Sequence, residues 1–232
     1  VPAEQGGLGP GVFEYCMVSE ELARAWMSSA SILARSQGLG TAVPDAGRRE
    51  ELQGRSARGE WIGAIALSEP DAGSDLAGVS TRAVLEGDEW VVTGHKRWCG
   101  NAEAADFIQV LVRERDPAEG ESRSAGLVNL LLEKERGSFP EGLTGHPIDK
   151  IGYHGFLTWD LTFDGVRIPR TARGLPPIVP PDRAPCRHPG VASQEVTAAF
   201  AARLASCLAA RTSASDSGPV MSATDRRDPS SP

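Results

Sequence analysis

Residues 61–100 read WIGAIALSEPDAGSDLAGVSTRAVLEGDEWVVTGHKRWCG, and they indicate the fold class more clearly than the rest of the chain. Short apolar runs rich in Val, Ile and Trp alternate in it with Gly, Asp and Pro, a pattern typical of strands separated by turns. Gly87 and Asp88 lie between two of these runs and predict a β-hairpin. The stretch is therefore expected to form part of a sheet of short strands.

Similar apolar runs continue beyond residue 100 and extend the predicted sheet to Pro169. The strand-like runs cover residues 61–67, 80–87, 89–94, 106–114, 126–134 and 157–169. Several short strands in succession favour an antiparallel β-barrel or sandwich. Residues 61–169 are accordingly interpreted as one β-domain.

The residues before this β-domain predict two helices. Over residues 14–36, apolar side chains recur at helical spacing: Cys16, Met17, Leu22, Trp26, Ile32 and Leu33. A second helix is predicted over residues 48–58 with Asp45 as its N-cap. It is expected to lie mostly in solvent, because Leu52 is nearly its only large apolar residue. Residues 1–60 are interpreted as a partial N-terminal helical domain, whose opening loop suggests that an upstream segment is missing.

The composition of the chain changes after Pro169. Ten of the 17 prolines lie in residues 169–232, whereas every Trp and Tyr lies before residue 160. Such a stretch has too little apolar area for a packed core, so residues 170–232 are predicted to be an irregular, disordered tail. One helix is expected within it, over residues 196–211, where large apolar residues recur every four positions: Val196, Phe200, Leu204 and Leu208.

Charge and cysteine content exclude several classes of function. The net charge of −7 and the sequence pI of about 5.2 argue against a surface that binds nucleic acid. The four cysteines form no CxxC pair and the four histidines show no metal-ligand spacing, so no metal site is predicted. No apolar run approaches the ~20 residues needed to cross a bilayer. We therefore expect a cytoplasmic protein with no membrane partner.

Three sequence motifs follow one another along the chain: ALSEPDAGSDLAGV at 66–79, GHKRWCGNA at 94–102 and LTFDGVRIP at 161–169. With these motifs the chain resembles the acyl-CoA dehydrogenase family, and the resemblance covers roughly residues 1–169. It implies an α+β fold, in which an N-terminal helical segment precedes an antiparallel β-barrel or sandwich as middle domain. It also implies FAD as cofactor. Neither a GxGxxG motif after a strand nor a GxxxxGK[ST] motif occurs, so the flavin would not be held by a Rossmann domain.

The resemblance assigns the flavin contacts to two segments. In the first, backbone and side chains are expected to contact the flavin edge and the ribityl phosphate: Ile65, Ala66, Leu67, Ser68, Gly73 and Ser74. The Ser74 hydroxyl is also expected to contact the acyl-CoA substrate, although from the sequence alone it could equally well cap the local turn. Backbone N–H groups of residues 71–75 are expected to point at a phosphate oxygen, as in an anion-binding nest.

The second segment contains Trp98, Cys99 and Gly100. Trp98 matches the family position whose indole packs against the flavin, and the alternative interpretation is a tryptophan of the protein core. Family members usually carry Thr or Ser at the position of Gly100, so here only the backbone N–H remains to donate to the reactive edge of the flavin. One neutral hydrogen bond contributes about 0.5–1.5 kcal/mol. This difference is therefore expected to alter flavin reactivity more than FAD occupancy.

The activity implied by the resemblance is the α,β-dehydrogenation of an acyl-CoA thioester. The resemblance also implies an electron-transfer flavoprotein as acceptor and a homo-oligomer. Most family members carry the glutamate base in a C-terminal helical bundle, whereas the residues after Pro169 lack the periodicity of a bundle. Glu195 has no feature that assigns it this role, so no catalytic base is named and the chain is expected to be a truncated form that would lack full activity alone. Two alternatives stay open: a non-catalytic flavin-binding or interaction module, and an acyl-CoA oxidase-like flavoprotein with oxygen as acceptor.

Overall fold

The computed structural model describes residues 12–36, 43 and 45–174, which lie within one compact unit. These residues form two helices and seven strands, and the predicted α+β class is confirmed. The helices are α1 (Val12–Ser36) and α2 (Ala46–Ala57). The strands are β1 (Gly63–Ala66), β2 (Arg82–Glu86), β3 (Glu89–Gly100), β4 (Phe107–Arg113), β5 (Leu127–Glu133), β6 (Leu143–Pro147) and β7 (Thr158–Pro169).

All seven strands belong to one curled sheet with the order β1–β4–β2–β3–β7–β6, and β5 also pairs with β4. The expectation of a purely antiparallel domain is wrong, because β1 and β2 both run parallel to β4. β1 pairs with residues 107–110 and β2 with Arg113, while β5 pairs with β4 along its whole length on the other side. The two strands therefore follow one another along one edge of β4, and the loop at residues 67–81 does not reverse the chain.

The hairpin predicted at Gly87 and Asp88 is confirmed, since Glu86 pairs with Glu89 between β2 and β3. Two other strands differ from the prediction. β3 runs six residues beyond the predicted end at residue 94, so most of the motif at 94–102 lies in a strand. β6 was not predicted, because its sequence LTGHP contains Gly and Pro, which usually mark turns. Within the described residues β6 pairs only with β7, and a strand at a sheet edge tolerates proline at its end.

The main core is formed by alternate residues of the sheet strands. Five of its fully buried aliphatic side chains come from β4, β5 and β7: Ile108, Val110, Leu130, Leu161 and Ile168. A smaller cluster joins α2 to the sheet, where Leu52 packs with Trp61, Phe107 and Leu131. The Trp61 and Phe107 rings stack with 4.0 Å between their centroids. The two clusters together fix β1 and α2 against β4.

α1 consists of two helical segments, because the backbone of Trp26 is extended at φ −161° and ψ 108°. The predicted apolar face is not covered before this break, where Met17 and Leu22 are exposed. After the break, Ser28 and Ala30 are buried and the Tyr153 hydroxyl donates a hydrogen bond to Ser31. The second segment therefore attaches α1 to the β-domain.

Asp45 caps α2 as predicted, since its side chain accepts a hydrogen bond from the Arg48 N–H at 2.7 Å, but the helix begins at Ala46, two residues before the predicted start. Six of its twelve residues are exposed, and Leu52, Gly54 and Ser56 are buried, so α2 lies less in solvent than expected. Among the described residues, no helix has the length and apolar character needed to cross a membrane. Residues 170–174 still pack on the sheet, where the Gly174 N–H donates to the Asn129 carbonyl at 2.8 Å. The rest of the predicted tail, with the helix expected over residues 196–211, lies outside the described residues.

Candidate functional site

The first motif forms the long loop between β1 and β2, and Glu69 closes this loop on itself. The Glu69 carboxylate is buried and accepts four hydrogen bonds from the end of the loop. Oε2 accepts from the N–H and hydroxyl of Ser80 at 2.8 and 2.6 Å, and Oε1 accepts from those of Thr81 at 2.9 and 2.6 Å. These hydrogen bonds join the start of the loop to its end. The sequence alone does not predict this role for Glu69.

Lys96 joins this loop to β3. Its side chain is 0% exposed, and its ammonium group donates to Glu69 Oε1 at 2.8 Å and to the Leu67 carbonyl at 3.0 Å. The next residue, Arg97, donates its backbone N–H to the Ser68 carbonyl at 2.8 Å. The two segments that the sequence assigned to the flavin are therefore in direct contact.

Burial and hydrogen bonding act in opposite directions on the Glu69–Lys96 ion pair. Burial raises the pKa of Glu69, but hydrogen bonds from Lys96, Ser80 and Thr81 outweigh it and lower the pKa to about 2. Burial dominates for Lys96 and lowers its pKa to about 8, against the attraction of Glu69. Both groups are charged at neutral pH, so the pair is a buried salt bridge. Removing one partner would leave the other as an uncompensated buried charge.

Trp98 lies in a β-bulge of β3. Lys96 pairs with Leu161 and Cys99 with Trp159, so β3 has one more residue than β7 between these two pairs. The φ angle of Trp98 is +62°, in the left-handed region that is uncommon for residues other than glycine. Bulges can redirect a side chain, and Trp98 is 56% exposed. The alternative interpretation of Trp98 as a core residue is therefore wrong.

Ala66, Cys99 and Gly100 can offer a flavin only their backbone. The side chains of Ala66 and Cys99 are fully buried in the core. Gly100 pairs with Thr158, and the Asn101 N–H donates to the Leu157 carbonyl at 2.8 Å. In an antiparallel ladder, hydrogen-bonded and non-hydrogen-bonded residue pairs alternate. Because Asn101 and Leu157 form a hydrogen-bonded pair, Gly100 and Thr158 form a non-hydrogen-bonded pair, and the Gly100 N–H points away from β7. It points instead to the edge of β3 on which the first motif lies. Ile65, Leu67 and Ser68 are partly buried at that motif's start.

Gly73 and Ser74 lie at the exposed tip of the loop. The Ser74 hydroxyl makes no hydrogen bond to another residue that the structure describes, so the turn-capping interpretation is not observed. The prediction that the backbone N–H groups of residues 71–75 point at a phosphate oxygen is wrong for Ala72. The Ala72 N–H donates to the Glu69 carbonyl at 3.2 Å and is not available to an anion, because residues 69 and 72 form a tight bridge.

Arg113 supports the second half of the loop. Its guanidinium is buried and donates to carbonyls from two segments. The loop contributes the carbonyls of Ala77 at 2.8 Å and Val79 at 3.1 Å, and the chain before β5 contributes those of Arg123 at 3.2 Å and Ala125 at 3.0 Å. The loop that carries Ser74 is therefore held at its start by Lys96 and at its end by Arg113.

This arrangement suits a planar aromatic ligand with a polar edge. Trp98 offers an aromatic surface, Gly100 a backbone donor, and Ser68 and Ser74 offer hydroxyl groups. These residues fit the isoalloxazine and the phosphate of a flavin. In the described part of the chain there is no group of three or more side chains that could hold a metal ion. A cavity of about 630 Å³ lies elsewhere, between α2, β5 and the end of β7, and none of the assigned residues lines it.

Two family models match the chain, the acyl-CoA dehydrogenase N-terminal domain over residues 1–54 and the middle domain over residues 64–166. The chain is 36% identical over 177 residues to (2S)-methylsuccinyl-CoA dehydrogenase of Cereibacter sphaeroides, which covers 72% of this chain and 32% of the relative. It is 34% identical over 176 residues to benzylmalonyl-CoA dehydrogenase of Aromatoleum aromaticum, with 74% and 44% covered.

The fold is similar to that of butyryl-CoA dehydrogenase from Megasphaera elsdenii, with a TM-score of 0.64 and 28% identity over 74% of this chain and 45% of that one. The chain thus spans between 32% and 44% of the length of the two curated relatives. Both matched domains come from one family, and the curled sheet has the fold of that family's solved structures. The chain therefore belongs to the acyl-CoA dehydrogenase family.

Proposed function

We propose that this chain binds FAD between the β1–β2 loop and the bulge of β3, and that it serves the α,β-dehydrogenation of an acyl-CoA thioester. The observation that carries the proposal is the exposed Trp98 indole, which a left-handed backbone presents beside a loop that Lys96 and Glu69 hold in place. The two curated relatives named above are both dehydrogenases of CoA thioesters by name. This supports the same class of substrate here.

Three residues have specific tasks in this proposal. Trp98 packs against the ring system, the Gly100 N–H donates to its polar edge, and the Ser74 hydroxyl contacts the acyl-CoA. Bound FAD would accept the hydride that leaves the β-carbon of the substrate. We assign none of the described residues as the base that removes the α-proton. The chain's contribution is therefore to bind and orient the reactants.

An electron-transfer flavoprotein is the proposed electron acceptor, and the proposed assembly is a homo-oligomer. Gly100 supports a second candidate, in which oxygen accepts the electrons. This residue provides no side-chain hydroxyl at the reactive edge of the flavin, where most family members have Thr or Ser. Oxygen consumption during turnover, measured with and without an artificial electron acceptor, would distinguish the two candidates.

FAD binding by the purified chain tests the proposal. We expect a retained flavin absorption band after incubation with FAD and removal of the unbound cofactor. Trp98→Leu should weaken FAD binding by about two- to tenfold, because an aromatic contact contributes about 0.5–1.5 kcal/mol beyond burial and 1.4 kcal/mol is a factor of ten. Trp26→Leu is the matched control, since Trp26 is another exposed tryptophan on α1. A folded, colourless wild-type protein would contradict the proposal.

A further inference from the structure

Arg97 and Trp98 form the two-residue side of the bulge, and Asp160 lies opposite them on β7, between Leu161 and Trp159. Bulges redirect side chains but do not by themselves fix the orientation of an exposed ring. An exposed indole that must adopt one orientation on binding loses rotational freedom, which weakens ligand affinity. A neighbour that already holds the ring would reduce this cost.

The Arg97 side chain is such a neighbour. Its Cζ atom lies 5.0 Å from the centroid of the Trp98 ring, within the range of a cation–π contact. Its Nε atom lies 3.5 Å from Asp160 Oδ1. Arg97 Nε and Asp160 Oδ1 are both shielded from solvent, and neither atom forms a hydrogen bond within the described part of the chain. The guanidinium is thus attracted by the carboxylate of Asp160 and by the π face of Trp98.

We propose that Arg97 is a positioning residue for Trp98: anchored by Asp160, it covers one face of the indole and holds the ring ready for the isoalloxazine. This inference rests on the proposed function, because it assumes that Trp98 packs against a flavin. It assigns Arg97 an indirect role, through the indole, rather than a direct attraction to the phosphates of FAD. The two roles make different predictions when Trp98 is absent.

A double-mutant cycle with FAD as ligand tests the inference. Arg97→Met keeps the unbranched part of the side chain and removes the cation, and we expect it to weaken FAD binding three- to tenfold. Asp160→Asn should weaken binding in the same direction but less. The control is Arg167→Met, which removes an exposed arginine paired with Glu89 at 3.2 Å, away from the site. In a Trp98→Leu background, Arg97→Met should change FAD affinity less than twofold, because its effect passes through the indole.

Several results would overturn this inference. An equal loss of affinity in both backgrounds would mean that Arg97 attracts FAD directly. If the wild type binds FAD and Arg97→Met binds it equally well, the inference fails and the proposed function stands. If the wild type binds no FAD, the proposed function fails and the inference fails with it. Thermal unfolding without FAD shows whether each variant folds. If Arg97→Met does not fold, Asp160→Asn is the variant that tests the inference. Unchanged FAD affinity of Asp160→Asn would then overturn it.

Discussion

Glu69 and Lys96 connect the two segments that face the proposed ligand, yet neither stands out in the sequence. Glu69 lies in a motif that resembles an ordinary surface turn, and Lys96 is one of several charged residues in GHKRWCGNA. They meet across 27 residues of chain, a separation that no local spacing indicates. The family resemblance therefore predicts residues for the ligand contacts, whereas the buried ion pair that positions them becomes visible only in the folded chain.

Glu69 should make the stability of the protein depend on acid pH. Its pKa is about 2 in the folded state against an ordinary 4.5. Because the folded pKa is lowered, the stabilising contribution is present above pH 4.5 and is lost as the pH falls towards 2. The full contribution is on the order of 3 kcal/mol. Urea unfolding should show wild type more stable than Glu69→Gln at pH 7, with a difference that shrinks towards pH 2. A difference independent of pH would contradict this prediction.

Gly63 of β1 allows the ring of Phe107 to pack closely against the backbone of β1. A Cβ atom at Gly63 would lie 2.0 Å from the ring of Phe107, which is buried and stacked on Trp61. Gly63→Ala should therefore lower the free energy of unfolding by about 1–3 kcal/mol through displacement of this aromatic pair. Gly152→Ala is the control, because no atom lies within 4 Å of its added Cβ, and it should change stability by less than about 0.5 kcal/mol. Equal unfolding midpoints in urea for both variants would contradict the packing argument.

Most strand positions were predictable from the sequence, with β6 and the second half of β3 as exceptions, while strand directions were not. The apolar runs around β4 and β5 and the turn at Gly87 and Asp88 are local signals, and the structure agrees with them. The parallel pairing of β1 with β4 joins residues 44 positions apart, such as Gly63 and Phe107. Its direction depends on the loop at 67–81, whose course is fixed by the long-range contacts of Glu69, Lys96 and Arg113. Apolar periodicity carries no information about these contacts.

At the scale of the whole molecule, packing differs strongly between the sheet and α1. β4 and β5 are buried almost throughout, and their backbones pair along their full length. The first segment of α1 leaves its large apolar side chains exposed: Phe13, Met17, Val18 and Leu22. An isolated helix of about 12–15 residues is marginal in water, and most helical stability in proteins comes from tertiary packing. The first segment of α1 should therefore open independently of the sheet.

Hydrogen exchange measures this difference directly. Local opening exposes amides at a free-energy cost that ranges from near zero for poorly packed segments to the global value for core strands. We expect amides of residues 13–25 to exchange within seconds, whereas those of β4 remain protected by several orders of magnitude. Residues 28–33 should be intermediate, because Ser28 and Ala30 are buried and Ser31 contacts Tyr153. Tyr153→Phe removes that contact and should speed exchange at residues 28–33 while leaving β4 unchanged. Protection of residues 13–25 equal to that of β4 would mean that another surface covers the apolar face of α1 in solution.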